Sequence, residues 1–139
     1  MNYMDEAIKE AKKAFYKKEV PIGAIIVFNN KIIGRGYNNR INKNDVMAHA
    51  EIEAIHEANN YLNDWRLDSC DLYVTLEPCN MCMEVIKASR IKNVYYLLPK
   101  LDYKKEYSKT NKQMFDTEIE NVNKYKLLMS DFFQQNCKR

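Results

Sequence analysis

The chain has no run of about eighteen apolar residues, so nothing in it reads as a membrane-spanning helix. Its opening, MNYMDEAIKEAKK, interleaves acids and lysines where a secretory signal needs an apolar core. Both absences point to a cytoplasmic protein with no membrane association. No internal repeat and no linker break the chain, so residues 1–139 read as a single domain, long enough to bury a core. Cysteine is sparse: Cys70, Cys79, Cys82 and Cys137. In a reducing compartment, four thiols are better read as free or metal-bound than as disulfides.

What is present is ordinary for a soluble globular chain: 46% hydrophobic and 29% charged residues, with neither disordered nor fibrous bias. Met4, Ile8, Ala11 and Phe15 recur at helical spacing, which predicts an amphipathic helix over about residues 3–17. IGAIIVF, then NN, then KIIGRGY predicts a β-hairpin closed by an Asn-Asn turn. A helix is expected from Ala48 to about Leu62, a short buried strand at DLYVTL, and a helix opened by Pro78 and running to about Ala88. NVYYLL reads as a fourth strand. From about Glu118 a strand or a helix, most simply a helix, leads through YKLLMSDFF. This order implies a layered α/β domain.

Two short stretches carry chemistry. HAE puts an imidazole, His49, two residues before a carboxylate, Glu51, and EPCNMC spaces two thiols, Cys79 and Cys82, three apart. Thiols at that spacing in a first helical turn share a face, and a helix N-terminus favours the thiolate that zinc requires. One His and two Cys make three ligands, which leaves a tetrahedral zinc one open position, whereas structural sites close with four. His56 lies about 10 Å along the same helix from His49 and cannot join them. Cys70 and Cys137 remain candidates for a closing ligand. A bound zinc lowers the pKa of water toward neutrality, and Glu51 is placed to take the proton and pass it on. Alone, HxE is weak and CxxC could be a redox pair. Together, with a proline before the first cysteine, they are specific.

The combination HAE with PCNMC resembles the signature of the zinc deaminases of the cytidine/deoxycytidylate deaminase superfamily, in which a glutamate that is not a ligand serves as acid and base. Within it, EVPIGAIIV, GRGYNNR, AHAEIEAI, WRLDSCDLYVTLEPCNMC, SRIKNVYY and the tail LLMSDFF resemble the bacterial tRNA-specific adenosine deaminases of the TadA type. The resemblance covers most of residues 1–97 and resumes near residue 127. It implies a three-layer α/β/α fold with a mixed sheet of about five strands, usually assembled as a homodimer. The implied reaction is zinc-dependent conversion of adenosine to inosine at the wobble position of a tRNA anticodon. It also implies one zinc per chain held by His49, Cys79 and Cys82, Glu51 as proton shuttle, Asn38 as a substrate ligand, and Ala50 offering backbone to the base. Asn38 beside Asn39 also suits plain turn chemistry.

One stretch departs from the resemblance. After the fourth strand the tRNA deaminases carry a glycine-rich segment, whereas this chain has LLPKLDYKKEYSKTNKQ with no glycine. Residues 87–112 hold eight Lys or Arg against Asp102 and Glu106, with Tyr95, Tyr96, Tyr103 and Tyr107 among them. Lysines neutralise phosphates and tyrosines stack on unpaired bases, so Lys100, Lys104, Lys105 and Lys109 are candidate RNA contacts. A solvated lysine-rich face is the plainer alternative. A deaminase of a free base or nucleoside such as guanine, cytosine or cytidine would need no such surface. A non-catalytic zinc-stabilised or RNA-binding module would have no use for Glu51.

Overall fold

Asn2 starts the first helix: its side-chain oxygen accepts from the amides of Met4 and Asp5 at 3.0 and 3.2 Å, satisfying donors that a helix start leaves orphaned. Helix α1 spans Tyr3–Tyr16 and buries Met4, Ile8 and Ala11 of the predicted stripe, with Ala7 and Ala14 beside them, while Phe15 is only half-buried. The structure, a computed structural model, describes residues 2–100, 111–114 and 119–136.

The hairpin is β1, Gly23–Phe28, and β2, Lys31–Tyr37. Asn29 and Asn30 take φ of 50° and 60°, the left-handed pair of a turn whose twist suits a hairpin. Asn also occupies the left-handed positions at Asn44 and Asn63, and no described glycine has positive φ. Glycine instead serves close approach. A Cβ on Gly36 would lie 2.2 Å from the Ala50 oxygen, and one on Gly34 2.3 Å from the Ala54 oxygen. Those two bare positions let the third helix lie directly on β2.

After β2 comes a short helix α2, Arg40–Lys43, which the sequence pattern does not announce. Helix α3, Ala50–Leu62, follows, then β3, Asp71–Leu76, helix α4, Asn80–Ala88, and β4, Asn93–Leu98. Both strands match the apolar runs that predict them. Helix α4 begins two residues after Pro78, not on it: Cys79 is the N-cap, extended at φ −71° and ψ 172°. Strand β5, Asn111–Met114, is polar in sequence and has no alternation to reveal it; parallel pairing along β4 forms it at the sheet edge. The C-terminal element is a helix, α5, Ile119–Asn136.

The sheet runs β2-β1-β3-β4-β5. Strand β1 is antiparallel to β2 and β3, while β4 is parallel to β3 and β5. Helices α3 and α4 cover one face over Ile26, Leu72, Val74 and Val94. Helices α1 and α5 cover the other, where Met4, Ile8, Leu97 and Tyr125 meet. This is the three-layer α/β/α arrangement with a mixed five-stranded sheet. Among the described residues no helix is long and apolar enough to cross a membrane.

Candidate metal centre and active site

Two helix starts meet at one end of the sheet. His49 is the N-cap of α3, extended at φ −85° and ψ 154°, and Cys79 is the N-cap of α4, with Cys82 in that helix's first turn. Because His49 and Cys79 lie outside their helices, the helical face rule does not govern them, and extended backbone turns each side chain across the helix end. The His49 Nδ1 is 3.4 Å from the Cys82 Sγ and 3.8 Å from the Cys79 Sγ. All three donor atoms lie within 4.8 Å of one another. A tetrahedral zinc at ordinary bond lengths spaces its nitrogen and sulfur ligands about 3.6 Å apart, so the residues present fit the ion. Cys70, buried before β3, does not join this group. Its thiol is pushed up to about 11, chiefly by burial, as suits an inert core residue. His56 is exposed on α3. Cys137 lies outside the described residues.

The triad's own electrostatics ask for a cation. Hydrogen bonds from Cys82 and then His49 hold the Cys79 thiol down to about 3. Cys82 is driven upward by sharing that proton and by burial. His49 is raised, first by its bond to Cys79. Glu51, only 4% exposed, is pushed up to about 7, chiefly by burial. Its carboxyl adjoins Cys82 and the Cys79 thiolate.

These groups open into a cavity of about 220 Å³ lined by Val20, Ile22, Asn38, Ala50, Leu76 and Glu77, among others. His49, Glu51, Cys79 and Lys100 also reach it, so the structure brings together most of the residues singled out from sequence. Asn38 is buried; its Nδ2 donates to the Val20 oxygen at 3.3 Å. Lys100 sits at the rim, its backbone amide donating to Glu77 Oε1 and its Nζ to Asn80 Oδ1, each at 3.2 Å. Lys104, Lys105 and Lys109 lie outside the described residues. Of the other cations, Lys87 pairs with Glu84 at 2.8 Å, Arg90 lies over the Trp65 ring, Lys92 precedes β4 and Lys112 falls in β5. Lys92 and Lys100 flank opposite ends of β4, roughly 20–25 Å apart at strand rise.

Sequence reasoning missed the groups that hold the cavity's shape. Glu19 is fully buried, and its carboxylate accepts from the amides of Ile41 and Asn42 at 3.1 and 2.7 Å and from Asn42 Nδ2 at 2.6 Å. It thereby lashes the segment between Asn38 and His49, including the cavity-lining Arg40, to the end of α1. A lone glutamate before a proline gives no sequence signal for this. Pro21 and the Tyr125 phenol, discussed below, are equally silent.

Three donor groups at two helix starts, with a buried carboxyl beside them and an open cavity in front, have the composition of a catalytic rather than a closed zinc site. The profile of the cytidine and deoxycytidylate deaminase zinc-binding region matches residues 1–98, and the chain belongs to that family. The tRNA-specific adenosine deaminase of Bacillus subtilis strain 168 is 52% identical over 94 residues, covering 68% of this chain and 58% of that protein. Its counterpart from Streptococcus pyogenes serotype M18 is 49% identical over 94 residues, covering 68% and 59%. The chain thus spans less than two thirds of the length of these relatives. A solved structure from work on A-to-I editing by tRNA:A34 deaminases superposes with a TM-score of 0.73 at 35% identity, covering 81% of this chain and 96% of that one. A guanine deaminase from Bacillus subtilis superposes with a TM-score of 0.69 at 29% identity, covering 94% and 95%.

Proposed function

We propose that this chain is a zinc-dependent hydrolytic deaminase that converts adenosine to inosine at the wobble position of a tRNA anticodon. In this reading His49, Cys79 and Cys82 hold one zinc per chain. The observation that carries it is the buried Glu51 carboxyl, two residues from His49 and beside the three-donor triad where the cavity opens. The 52% identity to a tRNA-specific adenosine deaminase supports the substrate.

When bound, zinc supplies the Lewis acidity that makes water a nucleophile near neutral pH. Glu51 handles the protons. A carboxyl that titrates near 7 can both accept and release one. It takes one proton from the attacking water and gives it to the ring nitrogen beside the amino-bearing carbon. It then takes the second from the hydroxyl now bonded to that carbon and passes it to the amino group, which leaves as ammonia as the carbonyl forms. Asn38 and the Ala50 backbone bind and orient the nucleoside, and Val20 and Ile22 wall the base from solvent. Anticodon bases are already partly unpaired, so one can enter the cavity at modest cost.

The same reading makes Lys100, with Lys104, Lys105 and Lys109, a set of phosphate contacts. It takes the protein as one cytoplasmic domain and as a homodimer whose second copy helps build the RNA-binding surface. Ile41, Val46 and Met47, exposed by 61, 66 and 51% beside the cavity, support an interface there. A second reading, deamination of a free base, is favoured by one observation: the guanine deaminase structure matches 94% of the chain.

Mass spectrometry of tRNA transcripts incubated with the zinc-loaded protein separates the two. Inosine at the wobble position is expected; efficient guanine or cytosine turnover with no inosine in tRNA would overturn the proposal. RNA affinity should also fall with salt at a logarithmic slope of roughly −0.7 per phosphate contact. Changing the four lysines to glutamine should flatten that slope and leave zinc content unchanged; an unaltered slope removes them from the RNA surface.

A further inference from the structure

Three consecutive residues make one wall of the cavity: Val20 and Ile22 line it, and Pro21 between them is buried. The Ile22 amide donates to the Val20 oxygen at 2.8 Å, a one-residue γ-type bend for which the fixed φ of proline is suited. The carbonyls of this bend are all bonded. Val20 also accepts from Asn38 Nδ2 at 3.3 Å, and Ile22 accepts from the Asn38 amide at 3.0 Å. Wall and Asn38 are therefore one mechanical unit. The remaining carbonyl, that of Pro21, accepts from the Tyr125 hydroxyl at 2.8 Å.

Tyr125 is on α5, 104 residues away in sequence and fully buried among Met4, Ala7, Ile8, Ala11 and Leu97. A purely packing position on that face would be served by phenylalanine, because a buried hydroxyl costs free energy unless it is bonded. Here the hydroxyl donates to the cavity wall, and it also shares a hydrogen bond with Thr75 of β3. Helix α5 lies beyond residues 1–98, the part that matches the deaminase family.

We infer that Tyr125 is a positioning residue: its phenol anchors the Pro21 carbonyl and so fixes Val20, Ile22 and Asn38 as the wall against which substrate binds. The C-terminal helix is thereby part of the substrate pocket, though none of its described side chains lines the cavity. The wall contacts the base alike before and during reaction, so the phenol acts on binding and leaves the chemical step alone.

The test compares Tyr125→Phe, which keeps the ring and removes the hydroxyl, with Ile91→Val, a core trimming away from the cavity that sets a baseline for general loosening. Amide hydrogen exchange at Ile22 and Asn38 should be about tenfold faster in Tyr125→Phe than in the control. KM for an anticodon stem-loop should rise about three- to tenfold with kcat within about twofold of wild type. The kinetic arm rests on the deaminase reading, and the exchange arm does not. If wild type fails to deaminate the stem-loop, that reading fails and exchange alone decides. Exchange at Ile22 and Asn38 equal to the control, or a fall in kcat with KM unchanged, overturns the inference.

Discussion

The two faces of the sheet are built differently. Under α3, contact is made through small residues: Gly34 and Gly36 face Ala50 and Ala54, and helix backbone rests almost directly on strand backbone. On the other face α1 approaches as closely at one point, where a Cβ on Gly23 would lie 2.0 Å from the Ala7 oxygen. The part under α5, however, is filled by longer side chains, with Met4, Ile8, Leu97 and Tyr125 interlocking and Tyr73 stacked on Tyr95 at 4.9 Å. The first face carries the donor triad. Backbone-on-backbone contact leaves no rotamers to adjust, so the helix ends bearing His49 and Glu51 are fixed relative to the strands. The part under α5 can yield at side chains, and that helix meets the cavity wall through the Tyr125 hydroxyl.

The largest effect should come from breaking the first face at its donors. Cys79→Ala or Cys82→Ala is expected to take bound zinc from about one per chain to near zero, abolish turnover and lower the melting temperature, because metal binding and folding are coupled. Metal analysis checks this, and a metal-free variant that still deaminates would sink the assignment. Next is Glu51→Ala, which should keep zinc and fold while turnover drops about 10²- to 10⁴-fold; near-normal activity would place the proton shuttle elsewhere.

The faces themselves can be set against each other. Gly36→Ala puts a methyl 2.2 Å from the Ala50 oxygen and should cost about 3 kcal/mol, with loss of zinc affinity as α3 is displaced. Leu97→Ala on the other face should cost a comparable 2–5 kcal/mol, yet leave zinc affinity intact. Equal effects on zinc from the two variants, at matched loss in denaturant melts, would erase the distinction.

The remaining effect is electrostatic, comparable in free energy but confined to the pH dependence of zinc-free protein. In zinc-free protein the Glu51 carboxyl is raised by burial from 4.5 to about 7. Its contribution to stability is therefore full below 4.5 and is lost as pH climbs through 7. Glu51→Gln lacks this loss, so relative to wild type it should gain up to about 3 kcal/mol between pH 5 and pH 8. Denaturant melts in chelator provide the measurement, and a pH-independent difference would mean that Glu51 titrates as an exposed acid.

The sequence was most readable where one residue type or one period decides the outcome. DLYVTL and NVYYLL are buried strands with the bounds their apolar runs suggest, and HAE with PCNMC names a donor set because few other uses require that combination. Pro78 misled by two residues, since the cap is Cys79 and the helix opens at Asn80. Strand β5 was illegible because its order comes from a neighbour's backbone and leaves no trace in NKQM. Glu19 and Tyr125 were illegible for a related reason. Each acts through a carboxylate or hydroxyl on main-chain atoms 22 to 104 residues away, and such bonds have no local pattern.

The bond from Tyr125 to Pro21 also gives the molecule an order of assembly. A ribosome delivers His49, Cys79 and Cys82 well before the residue that locks the cavity wall, and at roughly 5–20 residues per second the interval is a few seconds. During that interval the emerging chain already carries His49, Glu51, Cys79 and Cys82, while the hydroxyl that ties down the Pro21 carbonyl has yet to be made.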